Sequence, residues 1–108
     1  MKRSPLPPRR TPLARQSSRR RAERSQRAAV VAEVLDRDGG CVAASRVASP
    51  CRGRLVVHET AQRSVVPGSH LRADLAVTLC DGHHDWVHAN IAEARELGLL
   101  VDSWDVQP

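Results

Sequence analysis

Apolar positions are sparse along this chain, and their spacing changes from one stretch to the next. Over 19–37, Val30, Val31, Val34 and Leu35 fall at i, i+1, i+4 and i+5, which places them on one face of an α-helix. Neither Pro nor Gly interrupts this stretch, and its first half is basic and reads as solvent-facing. Asp38-Gly39-Gly40 predicts the stop, because Gly adopts the left-handed conformation on which helices end. The next apolar run, Arg-Leu-Val-Val-His at 54–58, is short and β-branched and predicts a strand. Leu-Ala-Val-Thr-Leu at 75–79 predicts a second. Between them, 60–74 holds Pro67-Gly68-Ser69 and reads as a loop, as does the Ser-, Ala- and Pro-containing stretch 41–51. From Asp81 the pattern turns helical through Trp86 and Val87, and a shorter helix over 91–97 stops at Gly98. No repeat is visible. Trp86 and Trp104 read as packing residues, with Trp86 on the apolar side of its helix.

Helix, two strands and helices make an α+β chain, and size limits what holds it together. A chain of 108 residues has room for one domain, and with no Phe, no Tyr and two Trp its core is thin. Domains this small commonly need a metal or disulfides for stability. No apolar run is long enough for a membrane helix, so no membrane association is expected. The basic start lacks an apolar segment after it, so no secretory signal is read. Three cysteines cannot close into a full set of disulfides. A reducing, cytoplasmic setting with metal-bound thiolates is expected, the alternative being simple burial as small apolar side chains.

Charge is unevenly placed. Residues 1–28 hold ten basic side chains against one acid, Glu23, a net +9 that leaves −4 for the rest of a chain totalling +5. Within 1–18, Pro5, Pro7, Pro8 and Pro12 stand among Ser, Thr and Arg, so this stretch is expected to be a disordered basic arm ahead of a domain over 19–108. Arg9, Arg10, Arg19, Arg20, Arg21 and Arg24 are the candidate phosphate contacts. The competing reading is a solvated tail that aids solubility.

Ligand-type side chains are crowded. His58, His70, His83, His84 and His88, with Cys41, Cys51 and Cys80, all lie between positions 41 and 88. Cys41, Cys51 and Cys80-x-x-His83 offer three thiolates and an imidazole, enough to close a tetrahedral structural Zn²⁺ site, although the Cys41–Cys51 spacing is wider than usual. In His84-Asp-Trp-Val-His88 the two imidazoles stand at i and i+4, on one helix face, where both can bind one ion. His58, at the end of the first strand, is the third donor. Three protein ligands leave open positions for water and a phosphate, as a catalytic divalent ion requires. The metal would be Mg²⁺, Mn²⁺, Ni²⁺ or Zn²⁺, with imidazoles favouring the transition metals. His70 in the loop is a lesser candidate for base or phosphate contact. The helix also stands one methylene from the zinc-peptidase pattern His-Glu-x-x-His, but the chain is short for a peptide-binding cleft.

Taken together, Cys41…Cys51-Arg-Gly-Arg-Leu-Val-Val-His58-Glu59, Cys80-Asp-Gly-His-His84-Asp-Trp-Val-His88-Ala-Asn and Ala-Arg-Glu-Leu-Gly-Leu-Leu-Val-Asp-Ser-Trp104 resemble the small HNH endonucleases common in actinobacterial phages. The resemblance covers roughly 19–104. It implies a ββα-metal fold with a structural zinc, a catalytic divalent ion, and cleavage of double-stranded DNA with low sequence specificity. Phage packaging proteins are implied as partners, and the cytoplasm of a host cell as the location. By position, His58, His84 and His88 match metal-side residues, with His58 and His84 counted in the catalytic set, and His83 matches the last knuckle cysteine. Glu59 falls where the family's general-base histidine stands, and Leu75 where its central Asn stands. A carboxylate is a weaker base than imidazole at neutral pH. The sequence therefore leaves a second function open, a catalytically degenerate, zinc-stapled DNA-binding module. Metal count separates the two, since the module needs one ion and the nuclease two.

Overall fold

The computed structural model describes residues 17–106 except 63 and 65. Helix α1 spans Ser18–Asp38, strand β1 Leu55–Glu59, strand β2 Ala76–Cys80, helix α2 Asp81–Ala89 and helix α3 Ile91–Glu96. Single 3-10 turns lie at Ser69–Leu71, Ala73–Leu75 and Ser103–Asp105. Among the described residues no helix is long and apolar enough to cross a membrane.

Helix α1 begins one residue ahead of the expected 19–37 stretch, because the Ser17 hydroxyl accepts the Arg20 N–H at 3.2 Å and caps it. Ser18 therefore belongs to the helix, with Ser17 as its cap. The rest of the arm, with Arg9 and Arg10, falls outside the described residues. At the other end Gly39 takes φ +66°, and its N–H donates to the Leu35 carbonyl, the stop expected of a left-handed glycine. Val34 is buried and Val30 and Val31 are half-buried, whereas Leu35 is exposed. The apolar face is thus narrower than its spacing suggests, and two charged residues complete it. Arg37 donates to the carbonyls of Ala73 (2.8 Å) and Ala76 (2.6 Å), and Asp38 accepts the Thr78 N–H at 2.8 Å. The C-terminal end of α1 is clamped onto the start of β2 by these bonds.

Strands β1 and β2 pair antiparallel from Leu55↔Cys80 to Glu59↔Ala76. Side chains alternate between the two faces of a sheet. Val77 and Leu79 pack toward the core of Ala43, Val87, Ala94 and Leu99, while the Thr78 hydroxyl donates to Val34 on α1. His58 lies opposite Val77 and shares the α2/α3 face, and Glu59 lies opposite Ala76 on the α1 face. The C-terminal segment returns to this strand end, where the Val101 N–H donates to the Thr60 carbonyl at 2.9 Å.

Trp86 packs against the core, but Trp104 does not: it is 80% exposed. The expectation that both tryptophans pack fails for Trp104, which stands on a single 3-10 turn after α3 and lines an open cavity rather than the core.

Candidate functional site

Two groups of ligand-type side chains form among the described residues, Cys41–Cys51–Cys80–His83 and His58–His84–His88. In each, the donor atoms lie within 4.8 Å of one another. Both depend on the junction of β2 and α2. Cys80 is the last residue of β2 and the N-cap of α2, its sulfur accepting the His83 N–H at 3.3 Å. The first turn of α2 then presents His83 to one group and His84 to the other.

The Cys₃His group is assembled by the 51–54 loop folding onto that turn. The Arg52 N–H donates to the Cys80 sulfur at 3.4 Å, and the Gly82 N–H to the Arg52 carbonyl at 2.9 Å. The Asp81 N–H donates to the Arg54 carbonyl, and Asp81 in turn accepts the Arg54 N–H at 2.8 Å. Gly53 is required here: φ is +80°, and a Cβ would meet the Asp81 carboxylate at 2.5 Å. His83 Nδ1 stands 3.2 Å from the sulfurs of Cys41 and Cys80 and 3.6 Å from that of Cys51. Tetrahedral ligands around zinc are separated by about 3.5 Å, so these separations are compatible with the ion. His83 Nε2 is 2.7 Å from the Ser49 carbonyl. A carbonyl only accepts, so Nε2 carries the proton and Nδ1 keeps its lone pair for the ligand position.

The thiols are electrostatically unequal. Burial acts to raise the Cys80 thiol, but the N–H groups of Arg52 and His83 and the neighbouring thiols outweigh it and bring it down to about 7. Cys51 is pushed up to about 11, by desolvation first and then by Cys80 and Cys41. Thiolates this close repel one another, and a divalent cation among them removes that repulsion. The chain thus has a Cys/His cluster compatible with a zinc site.

The His₃ group repeats one of these devices. His58 is 4% exposed, and its Nε2 lies 2.7 Å from the Leu99 carbonyl, which fixes the proton there and leaves Nδ1 for a ligand. Burial holds His58 below the ordinary imidazole value, His84 and His88 add to this, and the Leu99 carbonyl and Glu59 oppose it. On α2, the Nε2 atoms of His84 and His88 approach to 3.3 Å, one helical turn apart. Two imidazoles on a common ion bring their nitrogens to about that separation. His84 is half-buried and His88 exposed, and with His58 they border an open cavity of about 460 Å³.

Glu59 shares that cavity but leans toward α1, where Arg27 pairs with it at 3.6 Å. Arg27 also donates to the His70 carbonyl at 2.8 Å. His70 is therefore tied in by its backbone, and the structure does not bring it into either ligand group. Leu75 is a core residue, yet its carbonyl accepts both the N–H (2.8 Å) and the hydroxyl (2.9 Å) of Thr60, the residue after Glu59. Asp85 is exposed and lies 4.0 Å from Arg52, outside both ligand groups. Arg19, Arg20, Arg21 and Arg24 are exposed along the first turns of α1.

Sequence reasoning missed Arg27, Arg37 and Asp38, which attach α1 to the sheet. It also missed the carbonyls of Ser49 and Leu99, which orient the two ligand histidines. The Asp-Gly helix stop was a signal for Asp38; backbone acceptors leave no signature in side-chain spacing. No protein family, characterised protein or solved structure matches the chain.

Proposed function

We propose that the chain is a metal-dependent DNA endonuclease of the HNH type, hydrolysing phosphodiester bonds with low sequence specificity. The observation that carries this reading is the convergence of His58 from a strand with His84 and His88 from the following helix, their nitrogens grouped at an open cavity beside a closed Cys₃His cluster. The order strand, strand, helix around these residues supports the ββα-metal assignment. His58, His84 and His88 would hold a divalent ion, which would supply Lewis acidity for phosphodiester hydrolysis. The chain's own residues do the rest. His58, locked by Leu99, keeps one ligand nitrogen fixed while α2 offers the other two. Glu59, at the cavity rim, takes the proton of the attacking water, and Arg27 fixes the direction of its carboxylate. The Leu75 carbonyl ties down the strand end through Thr60, where the resembling family uses an Asn. The exposed arginines of α1 neutralise backbone phosphates without reading bases.

The Arg27–Glu59 ion pair also favours a second reading, because it engages the carboxylate that the chemistry needs. In that reading the chain is a zinc-stapled DNA-binding module. Supercoiled-plasmid cleavage with Mg²⁺, Mn²⁺ or Ni²⁺, alongside total metal analysis, decides between them. Nicking that disappears in EDTA and in His84→Ala, with two ions per chain, is expected. One tightly held zinc and an intact plasmid with every ion would overturn the nuclease in favour of the module.

A further inference from the structure

A second cavity, of about 360 Å³, adjoins the first. It shares His58, Glu59, Gln62 and His88 with it and is walled further by Ile91, Arg95 and Trp104. Two of these walls are large apolar side chains left open to solvent, Ile91 at 50% and Trp104 at 80%. An indole normally contributes much of a small core, and this core has little aromatic material to spare. The position of Trp104 is nevertheless built. The Val101 N–H donates to Thr60 beside the candidate base, and the Leu99 carbonyl holds His58. Arg95 pairs with Asp102 at 3.3 Å, two residues before the indole. The segment carrying Trp104 is therefore fastened to the strand that carries His58 and Glu59, which brings the indole to the edge of the ligand cluster.

We infer that this cavity is a nucleobase subsite, in which Trp104 stacks on an unpaired base of the strand whose phosphate lies at the His₃ group. The inference rests on the nuclease reading and adds a substrate class to it. A planar ring with a π-face is what an exposed indole takes best, and stacking of this kind tolerates any base. Arg95 and Asp102 pair with each other at the cavity wall, so the indole face rather than net charge selects the occupant. Bases inside a duplex are already stacked on their neighbours, so the occupant comes from a nick, a flap, a strand end or a single-stranded stretch. The preferred substrate is then DNA with unpaired nucleotides beside the scissile bond.

Anisotropy titration of the zinc-loaded full chain with a labelled thymidine oligonucleotide tests this, using phosphorothioate linkages to resist cutting. An abasic strand of equal length, which carries phosphates without bases, is the control. The parent is expected to bind the thymidine strand more tightly than the abasic one. Trp104→Ala is expected to lose roughly 5- to 100-fold on the thymidine strand alone, with Trp104→Phe keeping most of the difference. Equal binding of both strands by the parent, or an unchanged affinity in Trp104→Ala, overturns the subsite. The readout does not depend on cleavage. A plasmid left intact together with a base-dependent loss in Trp104→Ala removes the nuclease and keeps the subsite; a plasmid cut together with no such loss removes the subsite alone.

Discussion

The two ligand groups share one helix turn and one orienting device, yet they differ in composition and in donor number. His83 and His58 each present Nδ1 inward while Nε2 is tied to a backbone carbonyl 2.7 Å away, Ser49 in one case and Leu99 in the other. What differs is the number of donors. The Cys₃His group has four, with two backbone N–H groups aimed at the Cys80 sulfur; Cys80 and His83 are buried, Cys41 is half-buried and Cys51 exposed. The His₃ group has three donors and graded exposure, from buried His58 through half-buried His84 to exposed His88, against open cavities. Four donors saturate a tetrahedral ion and leave it structural, whereas three leave a position for water or substrate. Neighbours in sequence, His83 and His84, thus join different ligand groups because a helix turns about 100° between them.

Paired substitutions on that turn break the comparison most sharply. Cys80→Ser removes a candidate zinc ligand, the sulfur that caps α2 and the acceptor for Arg52 in one step. Because binding free energy is folding free energy in small metal-stapled domains, the cooperative thermal transition is expected to disappear. A melt by circular dichroism that matches the parent would remove the Cys₃His group from the scaffold. His84→Ala is expected to do the reverse. The melt and one zinc per chain persist, while the second ion is lost and plasmid nicking falls by more than about 100-fold. If His84→Ala also abolished the melt, both groups would be structural and the contrast between them would vanish.

Much of this contrast is legible in sequence, for a physical reason. Metal ligands announce themselves by residue type, and helical or strand spacing says which of them share a face, so both groups are read from Cys80-x-x-His83, His84-x-x-x-His88 and the strand-end His58. The α1, β1, β2, α2 and α3 segments are likewise carried by local apolar spacing and by glycine stops. What spacing does not encode is long-range polar contact. The pairing of Arg27 with Glu59 joins positions 32 residues apart, and nothing local to either marks it. Trp104 is misjudged for a related reason: a tryptophan is expected to pack, and only the fold shows that its turn leaves it exposed at a cavity.

The clamp at the end of α1 serves both groups, and so sharpens the comparison by acting on neither alone. Asp38 accepts the Thr78 N–H on the strand that ends in Cys80, and it pairs with Arg37 at 2.8 Å. Burial acts to raise the Asp38 carboxyl, but Arg37 and the Thr78 N–H and hydroxyl outweigh it, leaving it below its ordinary value of 3.8. A carboxyl lowered by folding stabilises the native state above its unfolded value, and that contribution is lost as pH falls through the folded value. Asp38→Asn is therefore expected to cost about 1–2 kcal/mol in urea melts at neutral pH. The difference from the parent should shrink as pH drops below the usual carboxylate value, with both ligand groups still filled at neutral pH. A difference that grows on acidification would show that another group governs the clamp.

The smallest expected effect lies farthest from either ligand group. Arg20 and Arg24 stand one helical turn apart and exposed on the half of α1 that precedes its buried face. If they meet phosphates, each releases about one counterion on binding, so Arg20→Gln with Arg24→Gln lowers the slope of log affinity against log salt by about 2. Affinity at low salt then falls for every DNA sequence alike, because phosphate contacts carry no base information. Neither metal content nor the melt should change, since among the described residues neither side chain is bonded into the sheet or has a place in a ligand group. An unchanged slope would take α1 out of the DNA interface and leave any phosphate binding to other basic residues. A halved slope with both ions retained would show that the charge attracting DNA and the groups acting on it are separate parts of one small chain.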